Sequence, residues 1–405
     1  MPFRLALSGL NAASTDLSVT ANNIANVATT GFKESRAEFA DLFAVTQRGV
    51  SSIAVGNGVR VAAVAQQFSQ GNINFTDNTL DVAISGNGFF ILSDHGALTY
   101  TRAGAFHTDN EGYIVNSSLQ RLQGYPPLPG GGFNTGTLSD IRLTTTQSPP
   151  QATSHVEVVL TLPANAQQPT VTPFDPANPD SFNHSSPFTV YDSLGAAHSA
   201  TLYFSKTATP NEWTVHLYVD GVAVGGPQTL TYSNTGALVA PAGGQINFGT
   251  HTPGTGAADL DLTIDFGRTT QYGSQYAPAS IVGNGFSTGQ LIGIDIDATG
   301  VVLARFTNGR SEPLGQIALA NFANPQGLQK LGDTQWAETY ASGQPLLGQP
   351  GATDFGVLQS GALEASNVDI TEQLVNMITA QRNFQANAQM ISAVDTITQT
   401  IINIR

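Results

Sequence analysis

Two groups of acidic residues have a spacing that metal binding or acid–base catalysis would use. Residues 295–300 (DIDATG) resemble the start of a calcium-binding loop. The fifth position is Thr299, however, and the twelfth, where a bidentate glutamate is required, is Phe306. A hairpin turn is therefore the better interpretation. Three further carboxylates have even spacing, which places them on one face of a predicted strand: Asp259, Asp261 and Asp265. Such a row is more often a solvated strand face than a catalytic pair, and we interpret it so.

Other catalytic and metal-binding patterns are missing from the sequence. The seven histidines are scattered, with no pair at helical metal-ligand spacing, and we interpret each as structural. The chain has no G-x-S-x-G, Walker A or complete dinucleotide fingerprint. With 0 cysteines it has no thiolate ligand or thiol nucleophile. We therefore predict a protein that is not an enzyme and has no catalytic residue, cofactor or metal.

The net charge and the N-terminal sequence argue against two further classes of partner, nucleic acids and membranes. Over 405 residues the formal net charge is −14, and the only lysines are Lys33, Lys206 and Lys330, so no basic patch for nucleic acid is expected. The apolar stretch at the N-terminus is short, is interrupted by Ser8, Gly9 and Asn11, and is followed by Asp16. This stretch is a poor signal peptide and too short to span a membrane. We predict no membrane insertion and, if the protein is exported, a route without a cleaved signal peptide.

Both ends of the chain have a heptad pattern. Such spacing is typical of a helix that presents a narrow stripe to other helices. At the N-terminus Gly31 suits the left-handed conformation that follows a helix end, and at the C-terminus Ser366 or Asn367 can cap a helix with acids in its first turn. The second helix runs from about Val368 to Asn403 without Gly or Pro and is about 50 Å long. The predicted stripe residues are Phe3, Leu10, Leu17, Ile24, Val27, Ile370, Leu374, Met377, Phe384 and Ile391.

The middle of the chain has the short, alternating apolar runs and glycine-rich turns of β structure. We predict a mainly β fold with terminal α-helices, in which the N- and C-terminal helices form a coiled-coil-like domain and two β-rich domains are nested between them. Stretches rich in Thr, Ser, Pro and Gly suggest where the domains divide. The predicted parts are a helical domain (1–31 and 364–405), a linker region (32–70 and 361–363), a β domain (71–145 and 285–360) and an inserted outer β domain (146–284).

The terminal helices are unusually poor in charge. Between residues 1 and 32 the only charged side chains are Arg4 and Asp16, and the outer positions are filled by Asn, Gln, Thr, Ser and Ala. A solitary surface helix normally covers its outer face with charge. The alternative is a helical hairpin packed inside one monomer, but each narrow stripe buries little area against the cost of ordering a long backbone. We therefore favour self-assembly through these helices.

Several segments resemble one family, the bacterial flagellar rod and hook proteins. The N-terminal segment is ANNIANVATTGFK at 21–33, and the C-terminal segments are SNVD at 366–369 and QRNFQAN at 381–387. DVAISGNGFF at 81–90 and YTRAG at 100–104 resemble the family's shared β domain, while FTVYDSLG at 188–195 and NFANPQGL at 321–328 resemble its hook members. The signature residues by this resemblance are Asn22, Asn23, Asn26, Gly31, Phe32, Ser366, Asn367, Asp369, Gln381 and Arg382.

The resemblance implies a subunit that polymerises helically into the curved, hollow joint between the rod and the filament of the flagellum. It also implies assembly with rod, hook-cap and hook–filament junction proteins, after passage through the flagellar type III export apparatus, outside the cell. A distal rod subunit is the alternative within the family. A glycan-binding or hydrolytic extracellular β protein is the alternative outside it.

Overall fold

The computed structural model describes residues 2–42, 56–143 and 147–403. The chain divides into two compact units. Unit 1 comprises 1–144, 293–305 and 311–405, and unit 2 comprises 145–292 and 306–310. The predicted fold class, mainly β with terminal helices, is confirmed.

Two helices in unit 1 come from opposite ends of the chain. Helix α1 spans Pro2–Ala25 and helix α2 spans Ile370–Asn403. Asn23 donates to Gln373, and Gly9 lies against Asn387, so the two helices run antiparallel. Neither helix is long and apolar enough to cross a membrane, and these are the only α-helices among the described residues.

A two-stranded hairpin packs against α1. Strand β1 (Ser35–Asp41) pairs antiparallel with β2 (Val59–Gln66), with an irregularity in register between Glu38 and Phe39. The hairpin lies in the stretch 32–70 that the sequence assigned to a linker region. The residues that join the two strands at 43–55 lie outside the described part of the chain.

The rest of unit 1 is a β domain built from both halves of the chain. The first half contributes β3 (Ile73–Phe75), β4 (Val82–Ser85), β5 (Phe89–Asp94), β6 (Ala97–Thr101), β7 (His107–Thr108), β8 (Ile114–Val115), β9 (Arg121–Tyr125) and β10 (Ser139–Asp140). Strand β5 pairs antiparallel with both β6 and β9. Its first four side chains are buried because both faces of the strand are covered there, Phe90 and Leu92 in one core and Phe89 and Ile91 in the other.

Unit 2 is a sandwich of two five-stranded sheets. The short strand β11 (Gln147–Ser148) comes first and is in neither sheet. The ten strands of the two sheets are β12 (His155–Pro163), β13 (His184–Tyr191), β14 (Ala197–Lys206), β15 (Glu212–Val219), β16 (Val222–Tyr232), β17 (Leu238–Ala240), β18 (Gln245–His251), β19 (Leu260–Asp265), β20 (Thr270–Tyr272) and β21 (Ala277–Gly283). One sheet has the order β13-β14-β15-β16-β17, and the other has β18-β19-β12-β20 with β21 beside β12. Alternate side chains of both sheets fill one core around Trp213, Phe204 and Phe266, as expected for a two-layer fold.

The chain then returns to complete unit 1. The remaining strands are β22 (Gly289–Ile296), β23 (Val301–Phe306), β24 (Ser311–Ile317), β25 (Leu319–Asn321), β26 (Gln329–Gly332), β27 (Gln335–Ala337), β28 (Leu346–Gly348), β29 (Val357–Ser360) and β30 (Ala362–Glu364). Strand β22 belongs to unit 1 from residue 293, and β23 up to residue 305. Strand β29 pairs with β4, and β30 pairs with β3, so the outgoing and returning chains meet. The predicted domain boundaries stay predictions, and the one between 145 and 146 falls outside the described residues.

Candidate functional site

The face that joins α1 to α2 is made of small and polar residues. On α1 the buried side chains Ala6, Ala13 and Thr20 are seven residues apart. A Cβ atom added to Gly9 would lie 2.5 Å from Oδ1 of Asn387, so glycine is what admits that amide. The two helices approach closely because this row has no bulk, and most of the large apolar side chains stay out of the buried seam.

The ten predicted stripe residues are not part of this fully buried row. Phe3 on α1 is 49 % exposed, and Leu374 on α2 is 47 % exposed. Val27 lies beyond the end of α1, in the turn that follows it. None of the ten is fully buried in the single chain. The exposed ones are Phe3, Ile370 and Leu374, and the half-buried ones are Leu10, Leu17, Ile24, Val27, Met377, Phe384 and Ile391.

Several signature residues lie where the helices join the β domain, in four segments that we call the neck: 31–35, 66–71, 102–104 and 364–369. Asn23, at the end of α1, donates to the carbonyl oxygen of Ser35 at 2.8 Å and accepts from the Ser35 N–H at 3.0 Å. Its amide also donates to Gln373 of α2, whose own amide donates to Glu34. One buried asparagine thus ties both helices to the start of β1.

The C-terminal signature residues hold the same neck from the other side. Asn367 accepts from the N–H of Glu34 at 2.7 Å and donates to the carbonyl oxygen of Gln67 at 2.8 Å. The sequence placed the cap of α2 at Ser366 or Asn367, and this is wrong. The helix begins later, and Oδ1 of Asp369 accepts from the N–H groups of residues 371 and 372, which makes Asp369 the N-cap.

Gly31 has the predicted left-handed conformation, with φ at +68°, but for a different reason. Helix α1 ends six residues earlier, at Ala25. A Cβ on Gly31 would lie 2.5 Å from the backbone nitrogen of Ala103, and the Gly31 N–H donates to the carbonyl oxygen of Glu364. The glycine therefore permits a close crossing of chain segments in the neck. Phe32 beside it is buried under the Lys330 ammonium.

The other signature residues are not brought into the neck. Asn22, Gln381 and Arg382 are exposed on the helices, and Asn26 is half-buried with its amide donating back to the carbonyl oxygen of Asn22. The exposed side chains of Asn22, Gln381 and Arg382 are accessible to other molecules, whereas the Asn26 amide also accepts a hydrogen bond from Thr29.

Three charged residues that were not predicted as site residues lie at the centre of the neck. The Lys33 ammonium is 2.6 Å from Oε1 of Glu364, and Nη1 of Arg102 is 3.3 Å from Oε2 of the same carboxylate. The side chains of Lys33 and Glu364 are fully buried, and that of Arg102 is 5 % exposed. Burial lowers the pKa of Lys33, and the Glu364 carboxylate opposes that effect. We call these three residues the neck triad.

The neck triad is further tied to the backbone. Lys33 donates to the carbonyl oxygen of Ser69 at 2.7 Å, Arg102 donates to that of Gly86 at 2.9 Å, and the Gly71 N–H donates to Glu364 at 2.9 Å. The signal for this site in the sequence was faint. A lysine next to Gly31-Phe32 in a chain with three lysines was visible, but its partners are 69 and 331 positions away.

The acidic groups with catalytic or metal-binding spacing are structural. Oδ1 of Asp297 accepts from the N–H groups of Thr299 and Val301, which confirms the predicted hairpin turn before β23. Asp261 and Asp265 lie on the open face of β19, opposite its buried Leu and Ile side chains. Across 2–42, 56–143 and 147–403, no group of three His, Asp or Glu is arranged to hold a metal ion.

One buried histidine in unit 2 has the partners that a catalytic imidazole would have. Nδ1 of His198 lies 2.6 Å from Asp220, and Nε2 lies 3.2 Å from Asp192. Asp192 also accepts from Thr255 and from two backbone N–H groups, and although burial alone raises its pKa, these hydrogen bonds lower the pKa to about 2. Hydrogen bonds to Asp220 and Asp192 raise the pKa of His198. The imidazolium joins the turn that contains Asp192 to the turn that contains Asp220. His251 is the other titratable group near Asp220.

This clamp predicts that unit 2 loses stability as the pH rises. The folded pKa of His198 is above its ordinary value, so its contribution is complete below about pH 6.5 and disappears as the pH rises through the folded pKa. Urea unfolding followed by Trp213 fluorescence from pH 5.5 to 9 measures this, in a Trp336→Phe background because each unit holds one of the two tryptophans. In His198→Gln the alkaline decline is expected to flatten. An equal decline in both proteins would contradict the clamp.

Family models match most of the chain. Their descriptions and matched residues are "Flagella basal body rod protein" at 3–33, "Flagellar hook protein FlgE/F/G D1 domain" at 83–173, "Flagellar basal body protein FlaE D2 domain" at 161–286 and "Flagellar basal body rod FlgEFG protein C-terminal" at 359–404. The matched order agrees with the resemblance seen at both ends and in the middle of the sequence.

Full-length relatives are also found. The chain is 41 % identical over 417 residues to a flagellar hook protein FlgE of Salmonella typhimurium, with all of both chains covered. It is 40 % identical to that of Escherichia coli K12, again over the whole of both, and 33 % identical to that of Borreliella burgdorferi over 98 % of each. A crystal structure of Helicobacter pylori flagellar hook protein FlgE2 has a similar fold. Its TM-score is 0.53 at 14 % identity, over 72 % of this chain and all of that one.

Proposed function

The chain belongs to the family of flagellar hook proteins, and from this membership we propose that it is the subunit from which the flagellar hook is built. It is a structural protein of the flagellum and not an enzyme, and it polymerises with itself. Copies of the chain assemble helically into a curved, hollow joint that transmits torque from the rod to the filament.

The observation that carries this proposal is the set of stripe residues that the single chain does not fully bury. The ten side chains at 3, 10, 17, 24, 27, 370, 374, 377, 384 and 391 are large and apolar, and intrachain packing fully buries none of them. Fully burying one Leu, Ile or Phe contributes roughly 1.5–3 kcal/mol. The apolar area that remains exposed on these residues can therefore stabilise contacts between copies. Helices that carry few charges also avoid repeating like charges along a polymer of identical subunits.

The same proposal implies specific partner proteins in the flagellum and a route of export. The chain meets rod proteins at one end of the polymer and hook–filament junction proteins at the other, and a cap protein covers the growing tip. It leaves the cell unfolded through the flagellar type III export apparatus, without a cleaved signal peptide. The absence of cysteine suits this route because no disulfide can form in transit.

Negative-stain electron microscopy of the concentrated purified chain tests the proposal. We expect tubes of one uniform diameter. A strain that lacks the gene should retain rods and lose hooks, and this phenotype distinguishes a hook subunit from a distal rod subunit. A chain that stays monomeric at every concentration, together with intact hooks in the deletion strain, would overturn the proposal.

A further inference from the structure

We propose that Lys33, Arg102 and Glu364 are positioning residues for assembly, which fix the helix pair in one orientation relative to the β domain of unit 1. This inference rests on the proposed function, because the orientation of the helices matters when they must meet the helices of other copies. The proposal concerns a rigid joint at the neck, where the composition of the sequence suggested only a linker region.

The three residues come from three different parts of the chain that have to be held together. Lys33 follows α1, Glu364 precedes α2, and Arg102 follows β6 in the β domain. The single carboxylate of Glu364 contacts both cations, through Oε1 to Lys33 and through Oε2 to Arg102. Both helices are therefore connected to the β domain through one buried group.

An ionic joint is suited to this role because it tolerates few alternative arrangements. Apolar side chains can repack with little loss when two elements rotate against each other. A buried carboxylate that leaves its partners stays uncompensated, so rotation at the neck is strongly disfavoured. The close approaches of Gly31 to Ala103 and of Gly71 to the carbonyl oxygen of Ala365 limit the same movement by steric contact.

The charges of the neck triad predict which variants loosen the joint most. Two cations share one carboxylate, so Glu364→Gln leaves two buried positive charges without a counterion. Lys33→Met removes one cation and keeps the Arg102–Glu364 pair. We therefore expect Glu364→Gln to loosen the joint more than Lys33→Met, and the double variant to loosen it less than Glu364→Gln alone.

Distance measurements between two spin labels on the full-length monomer test the joint directly. The chain has no cysteine, so Ser14→Cys on α1 and Thr108→Cys in the β domain label only the chosen sites. We expect a narrow distance distribution in the otherwise native chain, which broadens in Lys33→Met and more so in Glu364→Gln. A second pair, Thr108→Cys and Gln329→Cys, lies within the β domain and should stay narrow in all variants.

A matched control removes an exposed ion pair in the same unit. Asp295→Asn breaks the Asp295–Arg305 contact of 2.8 Å, whose side chains are 39 % and 57 % exposed, and should leave both distributions unchanged. If Glu364→Gln also broadens the distance distribution of the pair within the β domain, that variant has disrupted the domain itself. The distributions of Lys33→Met then decide whether the neck is a fixed joint. A Lys33→Met distribution as narrow as the native one would overturn the proposal.

Assembly gives the second readout. The concentration needed for tube formation should rise by about tenfold or more in Lys33→Met, which corresponds to about 1.4 kcal/mol per subunit. Unit 2, followed by Trp213 fluorescence, should melt as in the native chain. If the native chain forms no tubes and the deletion strain keeps its hooks, the proposed function fails, while the spin-label distances still decide whether the neck is a fixed joint.

Discussion

Removing both terminal helices abolishes tube formation at any concentration and leaves a folded β protein. The variant consists of residues 26–368, which keeps Glu364 beside Lys33 and Arg102. It loses every large stripe side chain except Val27. With that apolar area gone, the remaining contacts between copies do not offset the cost of association. Negative-stain microscopy and sedimentation at rising concentration measure the outcome.

The control for this truncation is the stability of the β structure. Trp213 and Trp336 report on unit 2 and unit 1, and we expect both to unfold cooperatively after truncation, Trp213 at its native midpoint. Tubes formed by the shortened chain would place assembly in the β units and contradict the role given to the helices. Collapse of the Trp213 transition would mean that the helices support the fold of unit 2.

A single charge on the exposed stripe has the second largest expected effect. Leu374→Asp should raise the concentration needed for tube formation by about 100-fold or more, because burial of the exposed part of the leucine is lost and the carboxylate must be desolvated in each copy. Leu374 is 47 % exposed in the single chain. The helical content and melting of the monomer should therefore change little, and circular dichroism checks both.

Two matched variants separate the contacts between copies from those within one chain. Thr20→Asp places the same charge on the buried face of α1, so it should destabilise the helix pair of the monomer as well as the tube. Ser118→Asp adds the charge to an exposed loop of the β domain and should leave the monomer unchanged. A Leu374→Asp monomer as unstable as Thr20→Asp would mean that the stripe serves intrachain packing.

Local patterns in the sequence predicted the elements well because they depend on neighbours in the chain. The heptad spacing predicted two terminal helices, which are observed at Pro2–Ala25 and Ile370–Asn403, although the first ends six residues before Gly31. Asp297 is followed by the turn that its spacing indicated. The family resemblance was also a local property, carried by short segments at both ends and in the middle.

Which faces of those elements pack together, and where each helix ends, was decided by tertiary structure. Both rows of α1 repeat every seven residues, so periodicity alone does not say which row meets α2. The Ala6, Ala13 and Thr20 row is chosen because small side chains let two helices approach closely, which leaves the larger row only partly buried. The cap at Asp369 and the turn at Gly31 depend on where each helix ends against the neck.

By itself, the sequence determined the helical ends, the β middle, the scarcity of charge on the helices and the membership of a polymer-forming family. Only the tertiary structure decided that Lys33, Arg102 and Glu364 meet in one buried site and that His198 lies between two carboxylates. The physical reason is that an ion pair acts over a few ångströms of space, whatever the separation along the chain. Partners 331 positions apart leave no periodic trace in one sequence.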